Sequence, residues 1–173
     1  MFCNQCEQTS KGIACTTIGV CGKKPEVAAL QDLLLYAVKG LSIYAAAARQ
    51  QGIVDQEVDR FTMKALFSTL TNVNFDPESF FSLVVECVSL REKLTEKITA
   101  AGHSLTSHDP ACNYIPADTI DGLIKQGEGI GFLVDLQGDA DIASLQELLI
   151  YGLKGVAAYA YHASILGQED AGR

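Results

Sequence analysis

The 173 residues contain no tryptophan, two methionines, three histidines and four prolines. So few histidines leave little material for an imidazole metal site. His103 and His108 read as solvated loop residues, and His162 as a partly buried, hydrogen-bonded side chain on a helix. The contiguous Ser107-His108-Asp109 does not have the spacing of a catalytic triad, whose members meet in space rather than in sequence. No basic tract is present, and a net charge of -8 argues against nucleic acid or an anionic membrane surface as the main partner. No charged segment followed by an apolar run opens the chain, so export is not expected. The most apolar stretch, Val27 to Ala48, is broken by Gln31, Asp32 and Lys39 at intervals too short for a bilayer span. The expected location is cytoplasmic, where thiols stay reduced and clustered cysteines favour a metal or redox role over a disulfide framework.

Against these scarcities stands one concentration. Four of the six cysteines, Cys3, Cys6, Cys15 and Cys21, lie within the first 24 residues with spacing C-x2-C-x8-C-x5-C. The same stretch carries Lys11, Lys23 and Lys24 against Glu7 alone, a local charge of +2 on an acidic protein. Four thiolates can hold one zinc ion or one iron-sulfur cluster. Structural zinc sites more often pair two short knuckles, whereas here only Cys3 and Cys6 form one, and the longer approach of Cys15 and Cys21 suits a bulkier inorganic core. Gly12, Gly19 and Gly22 allow the tight turns that bring backbone amides to sulfur. The lysines would offset the charge of an anionic cluster, tune its potential or dock a partner. A surface position at the N-terminus suits electron exchange with a partner protein better than chemistry on a small substrate. Zinc, a disulfide pair and free thiols remain open at this point. Cys87 and Cys112 are isolated and read as ordinary buried or loop thiols.

The remainder is expected to be all-α. Pro25 supplies a first helical position for a run from Glu26 to Gln51, with Leu30, Leu33, Leu34, Ala37, Leu41 and Tyr44 on one stripe and Gly52 as its cap. Asp55 caps a second helix from Gln56 to Leu70, and Asp76-Pro77 starts a third that ends near Gly102. The organisation that follows is a cysteine loop over 1–24, a three-helix bundle over 25–102, a connector over 103–138 with one short helix from Ala117 to Gln126, and a last helix within 139–173 that opens an incomplete second bundle.

That last helix repeats the first. Leu30 to Asp55 and Leu145 to Asp170 match at twelve of twenty-six positions, including Leu-Gln-acid-Leu-Leu and Tyr-x-x-Lys-Gly in register. The second copy has no following helices to cover Leu148, Leu149, Leu153, Val156 and Tyr159. At roughly 1.5–3 kcal/mol per large side chain, leaving five exposed forfeits on the order of 10 kcal/mol. The last helix is therefore expected to pack on the first bundle or against a partner, either a second copy or further domains.

The start Met1-Phe2-Cys3-Asn4-Gln5-Cys6-Glu7-Gln8-Thr9 resembles the N-terminus of the hybrid cluster (prismane) proteins, or hydroxylamine reductases. So do Leu30-Gln31-Asp32-Leu33-Leu34, Phe67-Ser68-Thr69-Leu70-Thr71-Asn72-Val73-Asn74-Phe75, and Tyr151-Gly152-Leu153-Lys154-Gly155-Val156-Ala157-Ala158-Tyr159. The likeness covers most of the chain apart from roughly 95–138. It implies that Cys3, Cys6, Cys15 and Cys21 hold a cubane, and the spacing is similar to the group with a [4Fe-4S] rather than a [2Fe-2S] centre. It also implies an oxidoreductase that reduces hydroxylamine to ammonia or nitric oxide to nitrous oxide at a second cluster, whose His, Glu and Cys ligands lie in later domains. Neither Cys87 nor Cys112 matches such a ligand. The resemblance thus assigns this chain electron relay from a donor protein, without catalysis of its own. A zinc-stabilised or metal-free interaction fragment is the competing reading.

Overall fold

The computed structural model describes residues 1–131 and 138–168. Residues 132–137 of the expected connector, and 169–173 with Asp170 of the repeat, lie outside the described residues. The elements are a 3-10 turn at Ser10–Gly12, helices α1 (Pro25–Gln50), α2 (Gln56–Ser68) and α3 (Pro77–Ala100), a 3-10 turn at Pro110–Asn113, α4 (Ile120–Glu128) and α5 (Ala140–Ile165). The all-α expectation holds: among the described residues the only β pairing is an isolated bridge between Cys3 and Cys15.

The helices start and stop where the sequence provides caps. The Asp55 carboxylate accepts from Glu57 N at 3.0 Å and Val58 N at 3.3 Å, and Asp76 and Asp139 do the same for α3 and α5. Gly52, at φ +76°, ends α1 as expected, with Ile53 N donating back to Ala48 O at 3.0 Å. Two ends shift. The second helix stops at Ser68 rather than Leu70, because the Ser68 and Thr69 hydroxyls turn back onto Ala65 O and Leu66 O and Asn72 adopts φ +59°. The short helix starts at Ile120 rather than Ala117. Thr119 caps it, while the Gln126 amide holds Ala117 N and Ile115 O in the non-helical approach.

α1 is the hub. α2, α3, α4 and the Pro110–Asn113 turn all pack on it, and α5 packs on α2. Its length and apolarity alone would suffice to cross a bilayer, despite the interruptions noted above, but here Leu30, Leu33, Leu34 and Leu41 are sealed inside the bundle with Phe80, Val84 and Leu94. The connector is fastened to this core. Buried Arg91 donates to Ala111 O at 3.3 Å and Tyr114 O at 2.9 Å, and Leu123 of α4 is fully buried.

The two copies of the repeat meet different fates. Leu33 is 0% exposed, whereas its equivalent Leu148 is 67% exposed, and Leu149, Leu153, Val156 and Tyr159 are exposed with it. α5 does pack on the first bundle, through another face: Ala143, Lys154 and Ala157 are buried, and Phe67 of α2 meets Tyr161 and the edge of His162. His162 itself is exposed rather than partly buried, with Nδ1 2.7 Å from Ala158 O.

The repeated glycine gives a test. A Cβ on Gly40 would lie 2.1 Å from Ala111 O, whereas one on Gly155 meets nothing within 4 Å. Gly40→Ala is therefore expected to destabilise the chain by about 1–3 kcal/mol through overpacking. Gly155→Ala should stabilise it by up to about 1 kcal/mol through helix propensity. Urea unfolding of the two variants reads both signs.

Candidate metal centre

Residues 1–24 form a loop with little apolar core of its own, so hydrogen bonds shape it. Cys3 and Cys15 pair across the isolated bridge, with N–H to O distances of 3.1 and 2.8 Å. Between them the Ser10–Gly12 turn reverses the chain, with Lys11 at φ +57° and Gly12 at φ +66°. A second reversal, Gly22 N to Gly19 O at 2.8 Å, carries Cys21, and Gly22 adopts φ +88°. Gly19 is closely packed, since a Cβ there would lie 3.0 Å from Cys21 Sγ and from Lys23 Cβ.

Two nitrogen donors reach sulfur. Ser10 N points to Cys15 Sγ at 3.5 Å, and the Lys23 amine lies 3.6 Å from Cys3 Sγ. Hydrogen bonds from the Ser10 and Val20 amides, with a smaller contribution from the Lys23 charge, hold the Cys15 thiol below its ordinary range against the effect of burial. All six cysteines are free, and Cys3, Cys6 and Cys21 are partly accessible. Cys87 is the opposite case, a sealed core thiol that burial pushes up to about 12. Cys112 is likewise buried, facing Gly40 O.

The loop thus gathers the four cysteines into one short, turn-rich segment and pairs Cys3 with Cys15. Among the described residues no three His, Cys, Asp or Glu side chains converge closely enough to hold a single metal ion. The donor chemistry nevertheless fits a soft, thiolate-bound group: four thiols, N–H donors aimed at two of them, and a glycine at each turn. Gln5 Oε1, of the residue between Cys3 and Cys6 in sequence, is buried and has no hydrogen-bond partner among the described residues.

Of the three lysines expected to act on this site, Lys11 and Lys24 are exposed, whereas Lys23 is sealed inside the protein. Its amine is held 2.7 Å from Gln31 Oε1 on α1, and Gln31 Nε2 donates in turn to Asn74 O at 3.3 Å.

Behind Cys3 opens a cavity of 660 Å³ between α1 and α5. The repeat lines it from both sides: Asp32, Leu35, Tyr36, Val38 and Lys39 from the first copy, and Glu147, Ile150, Tyr151, Leu153 and Lys154 from the equivalent positions of the second. The Tyr151 hydroxyl donates to Asn4 Oδ1 and so joins α5 to the cysteine loop. Burial raises Asp32 to about 7, with Glu147 adding to the shift and Lys154 and Lys23 opposing it. Burial lowers Lys154 to about 8, against the attraction of Glu147, Asp32 and Cys3. Neither Asp32 nor Lys154 was singled out by spacing. The signal for Lys154 was present in the identical Tyr-x-x-Lys-Gly of the two copies, whereas Asp32 looks like any polar helix residue.

Residues 1–172 match the Prismane/CO dehydrogenase family. Curated relatives named hydroxylamine reductase include those of Syntrophobacter fumaroxidans, 55% identical, and Methanocella arvoryzae, 53% identical, each aligned over 98% of this chain. A third, from Geobacter metallireducens, is 47% identical over the same share. The chain spans about a third of the length of these relatives, 31–32%.

Asp32 generates a pH prediction. A carboxyl whose folded pKa lies above its unfolded 3.8 favours folding while it stays protonated, and that stability is lost as pH climbs from about 4 to about 7. Asp32→Asn should therefore change little at pH 4 and stabilise the chain at pH 8, by up to about 4 kcal/mol for a shift of this size. Thermal melts of both proteins across that range check it, and a gain that does not grow with pH contradicts it.

Proposed function

Because the chain belongs to the Prismane/CO dehydrogenase family, we propose that Cys3, Cys6, Cys15 and Cys21 hold a [4Fe-4S] cluster and that the chain relays single electrons. The observation that carries this reading is the convergence of N–H donors on thiol sulfur in the loop, Ser10 N on Cys15 and the Lys23 amine on Cys3. Such donors stabilise thiolates, the form that binds iron, and spread the charge that an added electron brings. When bound, the cluster supplies one-electron chemistry at a potential set by its ligands, hydrogen bonds and solvent exposure.

The chain's own residues divide the remaining work. The Cys3–Cys15 bridge fixes one pair of ligand backbones, and the Lys23–Gln31 bond ties that pair to the rigid hub helix. The loop exposes Ile13, Ile18 and Val20, and also Lys11 and Lys24. Exposed apolar and basic side chains on one short loop suit brief docking of an acidic electron donor, the low end of interface sizes. A reducing, cytoplasmic setting goes with this reading.

Reduction of hydroxylamine belongs to the reading of a whole protein about three times as long, in which this segment is the electron entry port. The exposed α5 stripe favours an interface role in addition, covered either by further parts of such a protein or by a second copy.

Anaerobic reconstitution with iron and sulfide tests the proposal. About four irons per chain and a broad absorption near 400 nm are expected, lost on Cys→Ala substitution at 3, 6, 15 or 21 and retained in Cys87→Ala and Cys112→Ala. Uptake of one colourless zinc per chain in place of iron would establish the competing structural-metal reading.

A further inference from the structure

Lys23 and Lys154 are the two lysines that the fold seals completely, each 1% exposed. Neither has a carboxylate within 4 Å among the described residues. The lysines that do form ion pairs, Lys39, Lys64 and Lys97, are all accessible to solvent. Lys154 makes one long contact to Thr69 O, at 3.5 Å, and stands 5.8 Å from the Tyr151 ring centre. Lys23 has Gln31 Oε1 and Cys3 Sγ. Sealing an ammonium away from water costs several kcal/mol unless an anion answers it.

Both lie close to the cysteine loop. The Lys23 amine is 3.6 Å from Cys3 Sγ, and Lys154 lines the cavity that Cys3 also lines. A four-iron cluster with four thiolates carries about two negative charges when oxidised. Two buried ammoniums match that number. The carboxylates facing Lys154 are Asp32 and Glu147, both beyond ion-pair distance, and Asp32 is driven by burial towards its neutral form.

The repeat sharpens the point. Lys39, the first-copy equivalent of Lys154, sits at the surface in a 2.7 Å pair with Asp109. The same lysine on the same helical motif is thus satisfied by a local carboxylate in one copy. In the other it is turned into the protein, on the wall of a cavity that also reaches Cys3, 151 positions earlier in the chain.

We propose that Lys154, together with Lys23, is the buried counter-charge of the cysteine-loop cluster, so that α5 helps to set the cluster's reduction potential while contributing no ligand. This rests on the cluster reading above. Lys154 is in this sense a positioning residue acting through charge: it lowers the cost of adding an electron to an already anionic group. In return the loaded cluster removes the cost of burying Lys154.

The test uses the full chain, reconstituted anaerobically, as wild type, Lys154→Met, Lys23→Met and a control, Lys93→Met, which removes an exposed charge on α3. Iron and sulfide content are measured first, then the potential by redox titration followed by electron paramagnetic resonance. Both buried-lysine variants should be harder to reduce, with the equilibrium against a one-electron donor shifted at least tenfold, 59 mV. The control should match wild type. A loaded wild type with Lys154→Met at the control's potential overturns the assignment and leaves the cluster reading intact. A wild type that takes up no iron overturns the cluster reading and the counter-charge role with it.

A second measurement applies even if Lys154→Met fails to load. In metal-free protein the substitution removes an unanswered buried charge, so the variant should melt above wild type, and wild type should gain more on loading than the variant does. A lysine that only fills space would lower the melting temperature in both states. Metal-free Lys154→Met melting below wild type therefore overturns the proposal.

Discussion

The hydrogen bond between the Lys23 amine and Gln31 Oε1, 2.7 Å long and buried, joins the cysteine loop to the hub helix α1. The loop buries little apolar surface, chiefly Ala14 and Cys15, and cannot hold its shape by packing. Gln31 can hold it because Gln31 does not move: it lies on α1 within a ring of α2, α3 and α4, and its other amide end is fixed by Asn74 O between α2 and α3. A polar residue in so apolar a stripe costs stability unless every atom is used, and here both ends are. The order of dependence runs from core to site. Sealing α1 fixes Gln31, Gln31 fixes Lys23, and Lys23 fixes the sulfur of Cys3. Loosening the Lys23–Gln31 bond would release the loop from α1 and leave its tie to α5 through Tyr151 and Asn4, at far less cost than unfolding the helices.

The duplicated helix shows how little a hydrophobic stripe decides by itself. α1 and α5 share their leucines in register, yet one stripe is enclosed and the other faces solvent. What docks α5 onto α2 is a narrower face of small and polar residues, Ala143, Lys154 and Ala157, helped by Phe67 meeting the Tyr161 ring at a tilt and the edge of His162. The stripe left over is large enough to act as an interface, and isolated surface leucines need no such explanation whereas a contiguous row does. Gly40 and Gly155 record the same asymmetry at a single atom: one lies against the Ala111 carbonyl, the other against nothing.

Much of this was legible in the sequence, because the signals were local. Pro25, Asp55, Asp76 and Asp139 each start a helix where they stand, Gly52 ends one, and the period of the leucines marks the core face of α1. The spacing of the four cysteines marked them as the candidate site. What spacing could not give was depth. Lys11, Lys23 and Lys24 look alike in the chain, and only the fold shows that Lys23 is sealed while its neighbours are wet. Nor could it give partners distant in sequence, such as Tyr151 on Asn4 or Lys154 on Thr69 O, since these depend on how α5 lies across α2. Two of the misplaced helix ends have the same origin in reverse. Side chains of Ser68, Thr69 and Gln126 take backbone bonds that a period count gives to the helix.

This difference in depth changes how charge around the cysteines should be counted. A sum over residues 1–24 gives +2 and treats three lysines as equal. In solvent, a charge beyond a Debye length of about 8–10 Å is largely screened, and even at 4 Å in water a unit pair is worth only about 1 kcal/mol. Inside the protein the same pair is worth several times more, so Lys11 and Lys24 contribute to encounter with a charged partner while Lys23 bears on the sulfurs themselves. Lys154, absent from any count over the loop, belongs with Lys23 because it shares the cavity wall with Cys3. The charge that matters to an anionic group on these cysteines is the local sum weighted by burial. On that measure a helix distant in sequence belongs to the proposed site as much as the loop that carries the cysteines.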